Sequence, residues 1–231
     1  EDIQELIDRQ IEYNERIAQE GMQKEYGVSV GANLVKYYGN DVQVRARAMA
    51  AAGSDARMSG CLYPVVINSG SGNQGITVSV PVIEYAKEMG VSHEKLVRAL
   101  VFSNLIAIHQ KTGIGRLSAY CGAVSAACGA GAGITYLSGG SYEQICATIT
   151  NTLANVSGMI CDGAKPSCAA KIATAVDAAI MAHCLSMEAE EFQPGDGIVK
   201  DTVENTIESV CEIASQGMNV TDAKILEIMV R

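Results

Sequence analysis

Tryptophan is absent from this chain, and only two phenylalanines and four prolines occur among its 231 residues. With aromatics at 5% and hydrophobic residues at 48%, the interior has to be built from Ala, Val, Ile, Leu and Met. Small side chains fill space through close approach of backbones rather than through interlocking rings. Positive charge is scarce as well: 17 Lys and Arg against 26 Asp and Glu leave a net charge of −9. An acidic surface repels phosphate backbones and anionic lipid, which argues against nucleic-acid and membrane partners. No signal peptide or membrane span is legible. The uncharged run 117–142 is long enough to raise the question, but its Gly, Ala and Ser content suits a close-packed buried helix better than lipid.

Glycine and cysteine are what the chain has in quantity, 23 and eight respectively. The cysteines stand at 61, 121, 128, 146, 161, 168, 184 and 211. In a chain of this size without an export signal, clustered thiols read as metal ligands or small buried residues of a cytoplasmic protein. The chain opens on Glu1 inside what reads as a helix, so a preceding N-terminal region is expected.

Hydrophobic periodicity is helical almost throughout. Ile3, Leu6, Ile7, Ile11 and Ile17 draw one apolar stripe on a charged first helix, and a second spans about residues 41–57. Ser92 caps a helix carrying Leu96, Leu100, Leu105 and Ile108. Ser141 followed three residues later by Gln144 is a capping box that starts a helix to about Val156. Pro166 fits a first helical position leading into Cys168–Met187. Asp201 with Glu204 reads as another capping box, Gly217 as a C-cap and Thr221 as the cap of a short terminal helix. Only residues 63–68 (YPVVIN) look extended, and Pro64 argues against a central strand. The expected fold is mainly α: a single compact helical domain over residues 1–231, with buried Gly/Ala-rich helices and little or no sheet. The segment 121–133 is its buried central helix.

Residues 69–75, SGSGNQG, follow an apolar run and precede a helical pattern at 76–89. Glycines expose backbone N–H groups, and a helix N-terminus adds partial positive charge, so the loop suits a small carboxylate or phosphate. Ser69, Ser71, Asn73 and Gln74 are its candidate ligand-binding side chains; a flexible surface turn is the plainer reading. Neither a Walker loop nor a dinucleotide fingerprint is present, and a carboxylate is a better fit than a nucleotide.

Cys121 and Cys128 lie seven residues apart, roughly on one helix face but two turns distant, too far to clasp one metal easily. Cys161 and Cys168 bracket the turn-rich DGAKPS, which can bend both sulfurs toward one point. With a thiol from the 121/128 segment they make three ligands. Three thiolates on a four-iron cluster leave one iron open as a Lewis acid. Each of these cysteines can equally be a buried small residue, the reading given to Cys146, Cys184 and Cys211.

The segments INSGSGNQG (67–75), YCGAVSAACGAGAG (120–133), GGSYEQIC (139–146) and GMICDGAKPSC (158–168) resemble, in order and separation, the α-chain domain of iron–sulfur L-serine dehydratases. They resemble its L-cysteine desulfidase relatives more closely. The resemblance runs from about Tyr26 to the C-terminus. It implies a [4Fe-4S] cluster on Cys121, Cys161 and Cys168, with Cys128 matching a thiol that does not bind it. It also implies β-elimination from a small L-amino acid: L-cysteine to pyruvate, ammonia and sulfide, L-serine to pyruvate and ammonia, or both. Two departures, a shorter turn between the second and third ligands and no cysteine at the C-terminus, favour the desulfidase branch. On this reading the chain is a catalytic half-domain that an N-terminal region completes, and a homodimer is possible.

For the base that takes the α-proton, His109 and Lys111 are the candidates, with a helix-end role as the alternative for His109. Lys111 and Arg116 can face the substrate carboxylate or be solvated. His93 reads as surface, His183 as helix packing, and Asp162 as a residue that orients its own turn. Two other classes compete: a pyridoxal-phosphate lyase performing the same elimination, and a non-catalytic helical binding or assembly module.

Overall fold

The computed structural model describes residues 3–115 and 117–231, and among these it contains ten α-helices and no strand. They are α1 (Gln4–Gln23), α2 (Val30–Tyr38), α3 (Val42–Met58), α4 (Gly72–Met89), α5 (His93–Ile114), α6 (Gly122–Leu137), α7 (Tyr142–Val156), α8 (Cys168–Met187), α9 (Val203–Glu212) and α10 (Asn219–Met229). Arg116 lies outside the described residues. The helical expectation is met. The parallel sheet that a pyridoxal-phosphate lyase of the competing kind needs is not found among the described residues.

Helix α6 is the centre, packed by α4, α5, α7 and α8. Its Gly/Ala content is the reason: a Cβ on Gly129 would stand 2.4 Å from the Ser103 carbonyl oxygen, so α5 crosses where only glycine fits. Helix α8 is long and apolar enough to cross a membrane. Here, however, it packs against α3, α6 and α7, with Ile172, Ala175, Val176 and Ala179 in the core. Around this centre, α1 lies on α3 and α4, and α9 lies on α5 and α7.

Local signals placed several ends well. Ser92 accepts from Lys95 N, and the Ser141–Gln144 capping box is complete in both directions. Elsewhere the structure corrects the sequence reading. Thr202, not Asp201, caps α9, accepting from Asn205 N. Gly217 is not the C-cap of α9: it is the last residue of a π-helical turn (Ile213–Gly217) that continues α9, and Met218 caps that turn ahead of α10. Thr221 therefore lies inside α10. Pro166 sits in the turn ahead of α8, which begins at Cys168. Leu105 and Ile108 face outward from α5 at 57% and 44% exposure, while Leu100 is buried. Cys184 is exposed rather than buried. Helix α2 carried no local signal because its start is capped from afar: Asp55 of α3 accepts from Val30 N at 2.7 Å.

Candidate active site

Residues 61–68 run without helix or strand to a tight turn at Asn68–Ser71, closed by Asn68 N to Ser71 O (3.2 Å) and Ser71 N to Asn68 O (3.0 Å). Ser69 and Gly70 occupy its centre at φ 49° and 79°, both left-handed. Asn68 ties this turn to Asn104 of α5 (Nδ2 to Oδ1, 2.9 Å), and Asn104 in turn pairs with buried Gln10 of α1. Ser71 then caps α4, accepting from Gln74 N at 3.3 Å. The loop is therefore a helix start braced by side chains of α1 and α5.

A second chain reversal brings two cysteines together. Residues 119–121 and 159–161 meet in an antiparallel bridge at Tyr120 and Ile160. Cys121 N donates to Met159 O at 3.1 Å, and Cys161 N donates to Ala119 O at 2.6 Å. Cys121 becomes the N-cap residue of α6, and the bridge sets it beside Cys161. The Cys161 thiol, with burial, raises the Cys121 pKa. The same neighbour holds the Cys161 pKa down, helped by the Gly163 N–H and the Lys171 ammonium. Cys168, the first residue of α8, accepts from Lys165 N at 3.4 Å across the intervening turn.

The pieces meet in one cavity of about 100 Å³. Its wall is Ser71, Asn73 and Gln74 from the start of α4; Cys121, Gly122 and Ala123 from the start of α6; Cys161, Gly163 and Ala164 from the turn; and Cys168, Lys171 and Ile172 from the start of α8. Three helix N-termini thus face one space, and their partial positive charges favour anions there in an otherwise acidic protein. Gln74 reaches across to α6 so closely that a Cβ on Gly122 would stand 2.5 Å from its amide carbon.

Lys171 and Arg57 were not picked out from the sequence. Lys171 follows Cys168 by three residues on one helix face. It pairs with Asp162, which holds the lysine pKa up against the opposing effect of burial, and which is itself held down by the lysine. Asp162 thus ties its turn to α8 through a side chain. Arg57, in the last turn of α3, donates from Nη1 to Asn73 Oδ1 at 3.2 Å. Only the fold brings it there.

The remaining candidates lie outside this cavity. Ser69 lines another cavity, of about 710 Å³, together with Gly70, Ile108, Lys111, Thr112 and Gly115. Its hydroxyl donates to Asn68 Oδ1 at 2.8 Å, a bond internal to the turn. Burial lowers the Lys111 pKa, and the nearby Cys161 and Cys121 oppose that, so its amine stands within electrostatic reach of the thiol pair. His109 lines neither cavity and instead bonds Glu204 of α9 at 2.7 Å. Cys128 is fully buried and its thiol is pushed up to about 12, out of the range of a ready thiolate.

A metal is tested by this donor set. Among the described residues no three His, Cys, Asp or Glu side chains stand close enough to hold a single ion. A cubane asks for something wider, one thiolate at each of three iron corners. Three cysteines around one cavity fit that demand.

Over residues 1–227 the chain matches the family described as Serine dehydratase alpha chain. It belongs to that family. Among its relatives, a UPF0597 protein of Lachnoclostridium phytofermentans is 64% identical over 99% of this chain and 55% of its own length. Another, from Desulfitobacterium hafniense, is 61% identical over 99% of this chain and 53% of its own length. A third, from Treponema denticola, is 56% identical over 100% of this chain and 55% of its own length. The chain thus spans about half the length of these curated relatives. No solved structure matches. In this serine dehydratase-type chain the loop at 71–74, the segments joined by the Tyr120–Ile160 bridge and the start of α8 line one cavity.

Proposed function

We propose that this serine dehydratase α-chain-type domain, residues 1–231, is a lyase that eliminates the β-substituent of a small L-amino acid. L-cysteine gives pyruvate, ammonia and sulfide with uptake of one water; L-serine gives pyruvate and ammonia. The observation that carries the reading is the shared cavity: anion-binding loop and thiol set face each other across the ends of three helices.

Cys121, Cys161 and Cys168 would hold a [4Fe-4S] cluster. Such a cluster, when bound, supplies an iron free of protein ligands that polarises the leaving hydroxyl or thiol. The chain's own residues do the rest. Asn73 and Ser71, at the start of α4, hold the substrate carboxylate, and Gln74 closes that wall against Gly122. Fixing the carboxylate fixes the α-carbon, which lowers the barrier by orientation. Lys111, partly buried and lowered in pKa, is the base assigned to the α-proton. His109, paired with Glu204, anchors α9 to α5. The eight free thiols suit a reducing compartment, and we place the protein in the cytoplasm.

The test is pyruvate release by anaerobically prepared full-length protein given L-cysteine or L-serine, with sulfide measured in the first case. Pyruvate from neither substrate, with iron and sulfide present in the protein, would overturn the proposal.

A further inference from the structure

We propose that Arg57 is a positioning residue: it locks Asn73 with its amide donor toward the thiol cavity and so makes the site prefer a carboxylate to the matching neutral carboxamide. The proposal rests on the reading of the site given above. Arg57 Nη1 approaches Asn73 Oδ1 at 3.2 Å. A guanidinium has five donors and no acceptor, so the amide atom that meets it must be the oxygen, and the NH2 must turn the other way. No acceptor among the described residues takes the Asn73 Nδ2 protons, and that nitrogen is not among the sealed, unpartnered polar atoms of the interior. Asn73 lines the cavity, so its free donor opens into it.

Two further observations hold the arrangement in place. A Cβ on Gly72 would stand 2.3 Å from Arg57 Nε and 2.9 Å from its Cζ, so the guanidinium lies against the first residue of α4. No carboxylate among the described residues pairs with Arg57. Its charge therefore adds to the α4 N-terminus and is not cancelled by a neighbour. An asparagine without such a clamp rotates to present either oxygen or nitrogen, and binds acid and amide ligands with little preference. Here the clamp removes that choice.

The experiment compares wild type, Arg57→Met and Arg57→Lys in the full-length, anaerobically reconstituted protein, with L-serine and L-serinamide as ligands. Thermal unfolding and iron content are measured alongside. Arg57→Met should raise KM for L-serine about tenfold or more while kcat moves less than about threefold, and should reduce the acid-over-amide preference about tenfold. Arg57→Lys keeps a charge and one donor and should recover part of that preference. Iron content should not change. An equal loss toward acid and amide, or an unchanged preference, would overturn the proposal and leave Arg57 a structural residue. If wild type turns over neither ligand, pyruvate release from L-cysteine decides the elimination reading separately. Calorimetric titration with the same two ligands then decides the clamp, which an absence of binding would also overturn. If Arg57→Met does not fold, Arg57→Lys carries the comparison, with an intermediate shift expected.

Discussion

Cys121 and Cys161 line one cavity because Tyr120 and Ile160 pair as an isolated antiparallel bridge. The bridge is a backbone device that brings distant cysteines side by side without a sheet. Cys168 reaches the same cavity by a different route, as the first residue of α8.

Loop and thiols should separate by phenotype. Asn73→Ala removes one donor to a charged carboxylate, a loss of about 1.5–3 kcal/mol, or roughly ten- to a hundredfold in kcat/KM. Iron content and absorption spectrum should be unchanged. Loss of iron in this variant would make the loop a support of the metal site instead.

Lys111→Met tests the base. It should lower kcat by about 10²- to 10⁴-fold, the range for a general base, with iron retained. His109→Ala should leave kcat within about threefold of wild type, since His109 lines neither cavity. The reverse pattern would move the base to His109.

The core has its own test at Gly129. A methyl group there meets the Ser103 backbone oxygen, which cannot swing aside. Overpacking of this kind costs about 1–3 kcal/mol, so Gly129→Ala should lower Tm by several degrees in thermal unfolding. An unchanged Tm would mean that α5 and α6 are not in such close contact.

His183 sets a pH dependence of stability. Burial pushes its pKa below 6.5, and its Nδ1 lies 2.9 Å from Thr135 Oγ1 in a packed polar cluster. Below pH 6.5 the unfolded chain binds a proton that the folded one resists. Its contribution is therefore fully present above that value and declines as pH falls through the lowered folded pKa. Tm measured between about pH 7.5 and 5 should fall less steeply in His183→Gln than in wild type. Parallel curves would contradict this.

Much of this molecule can be read along the chain, because its signals are local. Ser92, Ser141 and Gln144 announce helix starts, and the Gly/Ala run announces α6. What escaped is what depends on distant partners. Helix α2 takes its cap from Asp55, and Arg57 reaches Asn73 only once α3 lies beside α4. The cysteine spacing gave a possible ligand set, whereas the bridge at Tyr120 and Ile160 that pairs two of them has no sequence signature. Thr202 in place of Asp201 shows how little separates adjacent capping residues when both have a side-chain oxygen.

The central claim is that three thiols around one cavity hold an iron–sulfur cluster, and anaerobic iron and acid-labile sulfide analysis tests it most directly. Full-length wild type should carry about four of each per chain, with three thiolates accounting for the protein ligands. Cys121→Ser, Cys161→Ser and Cys168→Ser should each lose most of that content, while Cys128→Ala keeps it. Iron retained by all three serine variants, or lost equally in Cys128→Ala, would contradict the account.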